Sequence, residues 1–409
     1  MLAFASMNPT AQEPCRLAAL GMINALGATA DEIWPRVLAA DTSRLTRRSD
    51  LVPERSLLFG QVHDRLPEVP AGLARYDCPN NALTMAAFWQ IQRQVAGAFE
   101  RYGAHRIGVV MGTSSSGVSA AEAAIRYRER TGRLAPEFYY EQLEFGATGA
   151  FLAAYLGVTG PAYTLSTACS SGARALASAR SLLQLDLCDA VVCGATDSLC
   201  GLTAGGFSSL GAISEDGVNS CSKNRDGTVL GEGSALFLMD REAGGVQLQG
   251  VGESSEAHHI SAPDPEGRGA LAAMQGALDD AALAPDAVRY LNLHGTGTLT
   301  NDRVEAHAVV RLFGNDLPVS SIKALTGHTL GAAGAIDAAI CWLALDRAEV
   351  GHLRMPPHVW DGAHDEDLPE LHLSSVGESV ATGDPTCVMT NSFGFGGNNC
   401  TLILSASKR

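Results

Sequence analysis

The chain has 409 residues, 46% hydrophobic and 18% charged, enough to bury a large core as two packed halves or one large α/β unit. Its net charge of −15 argues against general nucleic-acid binding, and any acidic partner would need a local basic patch. Its ten cysteines show no CxxC pair or zinc-knuckle spacing, residues 1–10 lack the basic and apolar regions of a secretion signal, and no apolar run reaches the ~18–20 residues that span a bilayer. A soluble, cytoplasmic protein with reduced core thiols and no metal site is expected.

Residues 15–29 read as an apolar strand entering a glycine-marked loop, and 30–40 as a helix. Arg44, Arg47 and Arg48 form a basic cluster, either a solvated loop or part of a docking patch for an acidic carrier. Apolar spacing through Leu83, Ala87, Phe88, Ile91 and Val95 predicts a helix over 81–102. The strand at 106–112 ends in Thr113-Ser114-Ser115-Ser116-Gly117, a small polar loop where ligands gather in open α/β sheets. A second basic cluster, Arg126, Arg128, Arg130 and Arg133, is interleaved with Glu129 and reads as a solvated helix face or a docking patch. A helix at 147–156, a strand at 162–166, a helix at 172–187 and a wholly apolar strand at 189–195 follow. The last three form a βαβ unit whose apolar strand suits a sheet core.

Within that unit lies Thr167-Ala168-Cys169-Ser170-Ser171-Gly172. If the next run is a helix, Cys169 sits at its N-terminus, where free N–H groups and the helix dipole stabilise a thiolate. That would lower its pKa and make it a nucleophile, and its small neighbours leave room for an acyl group. The alternative is an ordinary buried thiol.

A charged, glycine-rich loop at 224–233 lacks the P-loop lysine pattern. The strand at 234–239 closes a first half, residues 1–245. The second half, 246–409, repeats the alternation: helix 269–283, strand 290–293, helix 302–313, strand 317–322, helix 331–345. The halves share no visible sequence identity, yet each places a reactive residue after a strand. A layered α/β/α architecture with internal duplication is predicted.

His294-Gly295-Thr296-Gly297-Thr298 puts a histidine at a strand end, with Asp302 and Glu305 close behind. Lys323 and His328 precede the small-residue helix start Gly331-Ala332-Ala333-Gly334, and Ser392 to Asn398 forms another glycine-rich turn. A lone histidine is more often structural, but two in glycine-rich loops beside a candidate nucleophile suggest a constellation. In this order the motifs at 167–172, 225–233, 294–305, 323–334 and 392–398 resemble those of the β-ketoacyl–acyl-carrier-protein synthases, across nearly the whole chain. The two-histidine pattern separates this group from condensing enzymes with a Cys-His-Asn site.

The resemblance implies a thiolase-like five-layer α-β-α-β-α fold and decarboxylative condensation of malonyl-carrier with an acyl group on Cys169. In it His294 and His328 give N–H donors to the enolate oxygen, and backbone N–H groups of Cys169 and Phe395 form the oxyanion hole. Phe395 is also a gate, Lys323 belongs to a buried ionic network with Glu305, Asp302 is a nearby supporting acid, and Ser115 sets the depth of the acyl pocket. It further implies a homodimer or heterodimer, no resident cofactor, and substrates on the phosphopantetheine of an acyl carrier protein. Ser208-Ser209-Leu210-Gly211 departs from the basic docking residue of many elongation synthases. Stretches 325–331, 355–362 and 395–399 resemble the ketosynthases of bacterial aryl polyene clusters, which pair with a related subunit lacking the nucleophile. General fatty-acid elongation is the alternative. A non-catalytic chain-length subunit would have lost Cys169, and a cysteine hydrolase using Cys169 and His294 would leave His328 and Lys323 unexplained.

Overall fold

Ten strands carry the architecture, five from each half of the chain. The first five are β1 (Cys15–Asn24), β2 (Ile107–Gly112), β3 (Ala162–Leu165), β4 (Ala190–Asp197) and β5 (Gly233–Asp240). The second five are β6 (Val246–Ser255), β7 (Val288–Asn292), β8 (Pro318–Ser320), β9 (Thr386–Gly394) and β10 (Asn398–Ala406). The first set is ordered β3-β2-β4-β5-β1, the second β8-β7-β9-β10-β6, and a short eleventh strand, His372–Leu373, extends the sheet beyond β8 with parallel pairing. In both, the first three strands in that order run parallel and the last two pairings are antiparallel. The five principal strands of one half therefore repeat the topology of those of the other, which is the expected duplication. The two sheets meet where β1 pairs antiparallel with β6, Cys15 opposite Leu248.

The helices are α1 (Ala30–Leu38), α2 (Pro79–Tyr102), α3 (Val118–Thr131), α4 (Ala147–Leu156), α5 (Ser171–Gln184), α6 (Gly201–Ser209), α7 (Arg268–Ala281), α8 (Leu299–Phe313), α9 (Lys323–Thr326) and α10 (Ala333–Asp346). Helices α2 and α4 cover the outer face of the first sheet, and α7, with α8 against it, that of the second. Helices α5 and α10 pack on each other between the sheets, giving five layers, α-β-α-β-α. The middle layer explains α10: it is buried almost all round, as a helix apolar on every face must be. The computed structural model describes residues 13–407, so the segment 1–10 weighed above as a leader lies outside the described residues.

The helix predicted at 331–345 begins later. Leu330 adopts φ +53° and a 3-10 turn, Leu330–Ala332, precedes α10. The strand at β6 and the short helix α6 were not predicted; α6 carries three glycines and no amphipathic stripe. No described helix is long and apolar enough to cross a membrane. All ten cysteines are free and buried.

Candidate active site

The residues of interest converge where the two middle helices begin. Strand β3 leads into the turn that carries Cys169, and hydroxyls latch that turn. Ser170 Oγ donates to Thr167 O (2.8 Å), Ser171 Oγ donates to Ala168 O (2.6 Å), and Thr167 N donates to Ser171 Oγ (2.9 Å). Ala168 is held at φ +53°, a left-handed conformation that disfavours a Cβ and marks a strained turn just before the reactive residue. Gly172 lets α5 approach α10: a Cβ there would stand 2.5 Å from Ala335 N, and one on Gly334 would stand 2.7 Å from Ala173 N. These reciprocal contacts bring the two helix starts, and with them Cys169 and His328, together.

His328 Nε2 lies 3.1 Å from Cys169 Sγ. The sulfur and one ring nitrogen from each of His294 and His328 all lie within 4.8 Å of one another. The imidazoles are perpendicular, with centroids 5.3 Å apart. Nδ1 of each ring is enclosed without a hydrogen-bond partner, leaving Nε2 as the working nitrogen. The loop at 224–233 holds both histidine segments from behind. His328 N donates to Val229 O, Gly231 N to His328 O, and Gly227 N to Gly297 O.

Burial sets the electrostatics. Cys169 does not have the lowered pKa expected of a helix terminus. The helix proper starts two residues later, and burial pushes the thiol up to about 11, against the pull of the Lys323 ammonium and the N–H groups of Phe395 and Cys169. Burial, reinforced by Lys323, holds both histidines well below the usual imidazole range. At neutral pH the site is thus an uncharged thiol beside two neutral imidazoles, each able to present one N–H. The backbone N–H groups of Phe395 and Cys169 point at the sulfur, beside where an acyl carbonyl on that sulfur would lie.

The acids differ from the expected network. Lys323 pairs with Asp337 on α10, Nζ to Oδ2 at 3.1 Å with both side chains buried, and not with Glu305. Glu305 instead accepts from His294 N and Gly295 N (both 2.8 Å) and from Asn391 Nδ2 (3.0 Å). It therefore fixes the backbone that carries His294. Burial pushes its carboxyl up to about 7. Asp302 accepts from Cys221 N (2.9 Å) and Gly297 N (3.2 Å), bracing the same loop, and burial raises its pKa too.

A cavity of about 330 Å³ opens onto Cys169, His294 and His328, with Thr296, Thr298 and Phe395 in its wall. Phe395 is 37% exposed and stacks on Phe207 at 5.3 Å, closing part of the mouth. Gly396 (φ +80°) and Gly397 (φ +74°) follow it in backbone conformations that suit glycine. Ser115 does not line this cavity. Its hydroxyl donates to Asp197 Oδ1 (2.7 Å), and Asp197 also accepts from Thr113 Oγ1, Ser114 N, Ser115 N and Gly331 N.

The basic clusters stand away from the cavity wall. Arg44 donates to Ala25 O, Arg47 to Ser56 O and Glu215 O, and Arg48 pairs with Asp50. Arg126 lies 3.9 Å from Glu122, and Arg128, Arg130 and Arg133 are exposed on or just beyond α3. Sequence reasoning missed Asp337, Asn391, Asp197 and Phe207. Two left a trace: Asp337 is the one charge in the apolar run 333–345, and Asp197 is the one charge in the strand it ends.

Comparisons with known proteins agree with this geometry. The families described as "Beta-ketoacyl synthase, N-terminal domain" and "Beta-ketoacyl synthase, C-terminal domain" match residues 79–244 and 246–354. The chain is 35% identical over 319 residues to a 3-oxoacyl-[acyl-carrier-protein] synthase 2 of Staphylococcus aureus, covering 73% of this chain and 75% of that one. Among solved structures, the ketosynthase ApeO of Xenorhabdus doucetiae, in complex with its chain length factor ApeC, superposes with a TM-score of 0.91 at 41% identity, covering 97% of this chain and 98% of that one. A β-ketoacyl synthase from Burkholderia phymatum superposes with a TM-score of 0.85 at 26% identity, covering 97% and 100%. With its duplicated thiolase-like fold and a cysteine between two histidines, the chain belongs to the β-ketoacyl synthase family of acyl-transferring condensing enzymes.

Proposed function

We propose that Cys169 is the nucleophile, and His294 and His328 the enolate-stabilising pair, of a ketosynthase that builds a conjugated, aryl-capped polyene with a ketosynthase-like chain-length partner. The contact between His328 Nε2 and Cys169 Sγ, 3.1 Å, carries the assignment of roles. In the first half-reaction the Cys169 sulfur attacks the thioester carbonyl of an acyl carrier. Its proton goes to the departing carrier thiolate, leaving an S-acyl cysteine and both imidazoles with their Nε2–H in place. In the second, malonyl-carrier loses carbon dioxide. The electron pair left behind becomes an enolate whose oxygen takes N–H donors from both histidines. The enolate carbon attacks the acyl carbonyl while the N–H groups of Cys169 and Phe395 hold the tetrahedral oxyanion. Collapse breaks the carbon–sulfur bond, and one proton taken up by the sulfur restores the thiol. Lys323 and Asp337 hold a buried charge pair behind the histidines, and Glu305 and Asp302 position the His294 loop. No resident metal or cofactor has a step in this sequence, because the carrier's phosphopantetheine brings both substrates.

The polyene product rests on the resemblance of the segments at 325–331, 355–362 and 395–399 to aryl polyene ketosynthases. The partner rests on that resemblance and on the neighbour ApeO, which is seen with a chain length factor. Strand β3 supports the partner as well: it ends the first sheet with one edge unpaired and its residues half-exposed or exposed, an edge that a second chain would cover. Ten free thiols suit a reducing, cytoplasmic setting.

Intact-mass spectrometry tests the reading. The chain, alone and with a chain-length partner, is incubated with aryl-enoyl and saturated acyl carriers, then with malonyl-carrier. The expected result is an acyl adduct that disappears in Cys169→Ala, a ketoacyl product two carbons longer, and faster loading from the aryl-enoyl donor. Faster loading from the saturated donor would move the enzyme to fatty-acid elongation, and no adduct from any donor would remove the nucleophile assignment.

A further inference from the structure

The mouth of the active-site cavity lacks the charge expected of a surface that receives an acidic carrier. Its wall contains no lysine or arginine, and its charged members are Asp226 and Glu256. Large apolar side chains stand in the open around it. Leu210, which caps α6, is 58% exposed, and Leu299, which opens α8, is 61% exposed; both line the cavity. Ile260 is 78% exposed, and its carbonyl accepts from Gly396 N on the Phe395 turn (2.8 Å).

Several cations of the neighbouring segments are committed. Arg55 binds Ser208 Oγ and Glu215, Arg47 reaches Asp216, Arg268 pairs with Asp264 and Glu266, and buried Arg225 pairs with Asp365. Asp216 is almost fully exposed on the segment leaving the rim. Arg303, one turn beyond Leu299, and Arg311, further along, are exposed cations of α8.

Cys169 is buried, so an acyl group must arrive through this mouth on an arm whose owner sits on the rim. Exposed leucine and isoleucine at such a place mark an interaction surface. We infer that Leu210, Leu299 and Ile260 form an apolar docking surface for a carrier protein whose contacting helix is apolar and poor in acidic residues, and that Asp226 in the cavity wall disfavours strongly acidic carriers. The inference rests on the ketosynthase reading and deepens it by naming the chemistry of the partner. Apolar contact is insensitive to salt, whereas charge-steered docking weakens as salt rises.

The test uses three hexanoyl donors: hexanoyl-pantetheine, the hexanoyl-loaded fatty-acid carrier protein of S. aureus, and the same carrier with the acidic residues of its docking helix changed to alanine and leucine. Acylation of Cys169 is read by intact mass as the ratio of each carrier-borne rate to the pantetheine rate, at 50 and 500 mM NaCl. For the wild type the neutralised carrier is expected to outrun the acidic one about tenfold, with less than a twofold change across the salt range. Leu210→Arg is expected to reverse the preference at low salt, and Arg303→Ala to change neither ratio by more than twofold. The inference is overturned if the wild type prefers the acidic carrier with a steep loss at high salt, if Leu210→Arg leaves the preference unmoved, or if Arg303→Ala costs tenfold. Failure of hexanoyl-pantetheine to acylate the wild type would instead remove the ketosynthase reading itself.

Discussion

The two halves of the molecule share a scaffold and divide the chemistry. Strands β3 and β8 occupy equivalent places, and each leads to a reactive residue just ahead of a middle helix: Cys169 before α5, His328 before α10. Strands β2 and β7 are likewise equivalent. The loop after β7 carries His294, while the loop after β2 carries only Thr113 to Ser116. In both halves a buried carboxylate gathers the loop's backbone N–H groups, Asp197 in the first and Glu305 in the second. The scaffold thus holds two polar loops in the same way, and chemistry follows from which side chain each loop presents. On the proposed mechanism neither half suffices alone, because Cys169 and both histidines meet only where α5 and α10 touch.

The largest expected effect concerns the first half. With its thiol pushed up to about 11, Cys169 should react with iodoacetamide roughly tenfold faster per pH unit from pH 7 to 10. A plateau below pH 8.5, followed on the Cys169 peptide by mass spectrometry, would mean that the helix start outweighs burial after all. The second half should respond differently. His294→Ala removes one enolate donor and is expected to slow malonyl decarboxylation by about 10²–10³ while leaving acyl loading of Cys169 within a few-fold. Equal loss in both half-reactions would erase the division of labour.

The layer between the halves comes next. Lys323→Met leaves Asp337 buried without its partner and should destabilise the fold by about 3–5 kcal/mol in chemical denaturation. Replacing both members, Lys323→Met with Asp337→Leu, should recover most of that loss, and failure to recover would show that the pair does more than neutralise itself. Smallest is the steric effect. Gly172→Ala places a methyl 2.5 Å from Ala335 N, so an overpacking cost of about 1–3 kcal/mol is expected, with a fall in condensation rate as Cys169 and His328 are pushed apart. An unchanged rate would show that the two helix starts have slack.

Much of the scaffold was legible from the chain. The apolar strand before Gly194, the helical spacing through Phe88 and the strand before His294 each sit within a few residues of the observed elements, because a residue's burial on one face repeats with the period of its own local structure. Cys169, His294 and His328 stood out because reactive side chains amid small residues are rare and their order matched a known family. The partner of Lys323 was misassigned. Glu305 and Asp337 are both acids on helices, and only the packing of α10 between the sheets decides which one faces the ammonium. The Cys169 thiol was misread for the same reason. A helix start is visible in sequence, but the depth of protein above it is not, and burial outweighs the dipole. Ser115 lay in a loop expected to shape the pocket, yet Asp197, which claims its hydroxyl, is 82 residues away.

By itself, then, the sequence determined the alternation of strands and helices, the residues that meet at the candidate site, and the family, since these depend on local periodicity and on side-chain identity. Tertiary structure alone decided the exact pairing of buried charges, the direction in which burial shifts the thiol and imidazoles, and the absence of lysine and arginine from the cavity wall. Those depend on desolvation and on contacts between residues far apart in the chain, which no local pattern encodes.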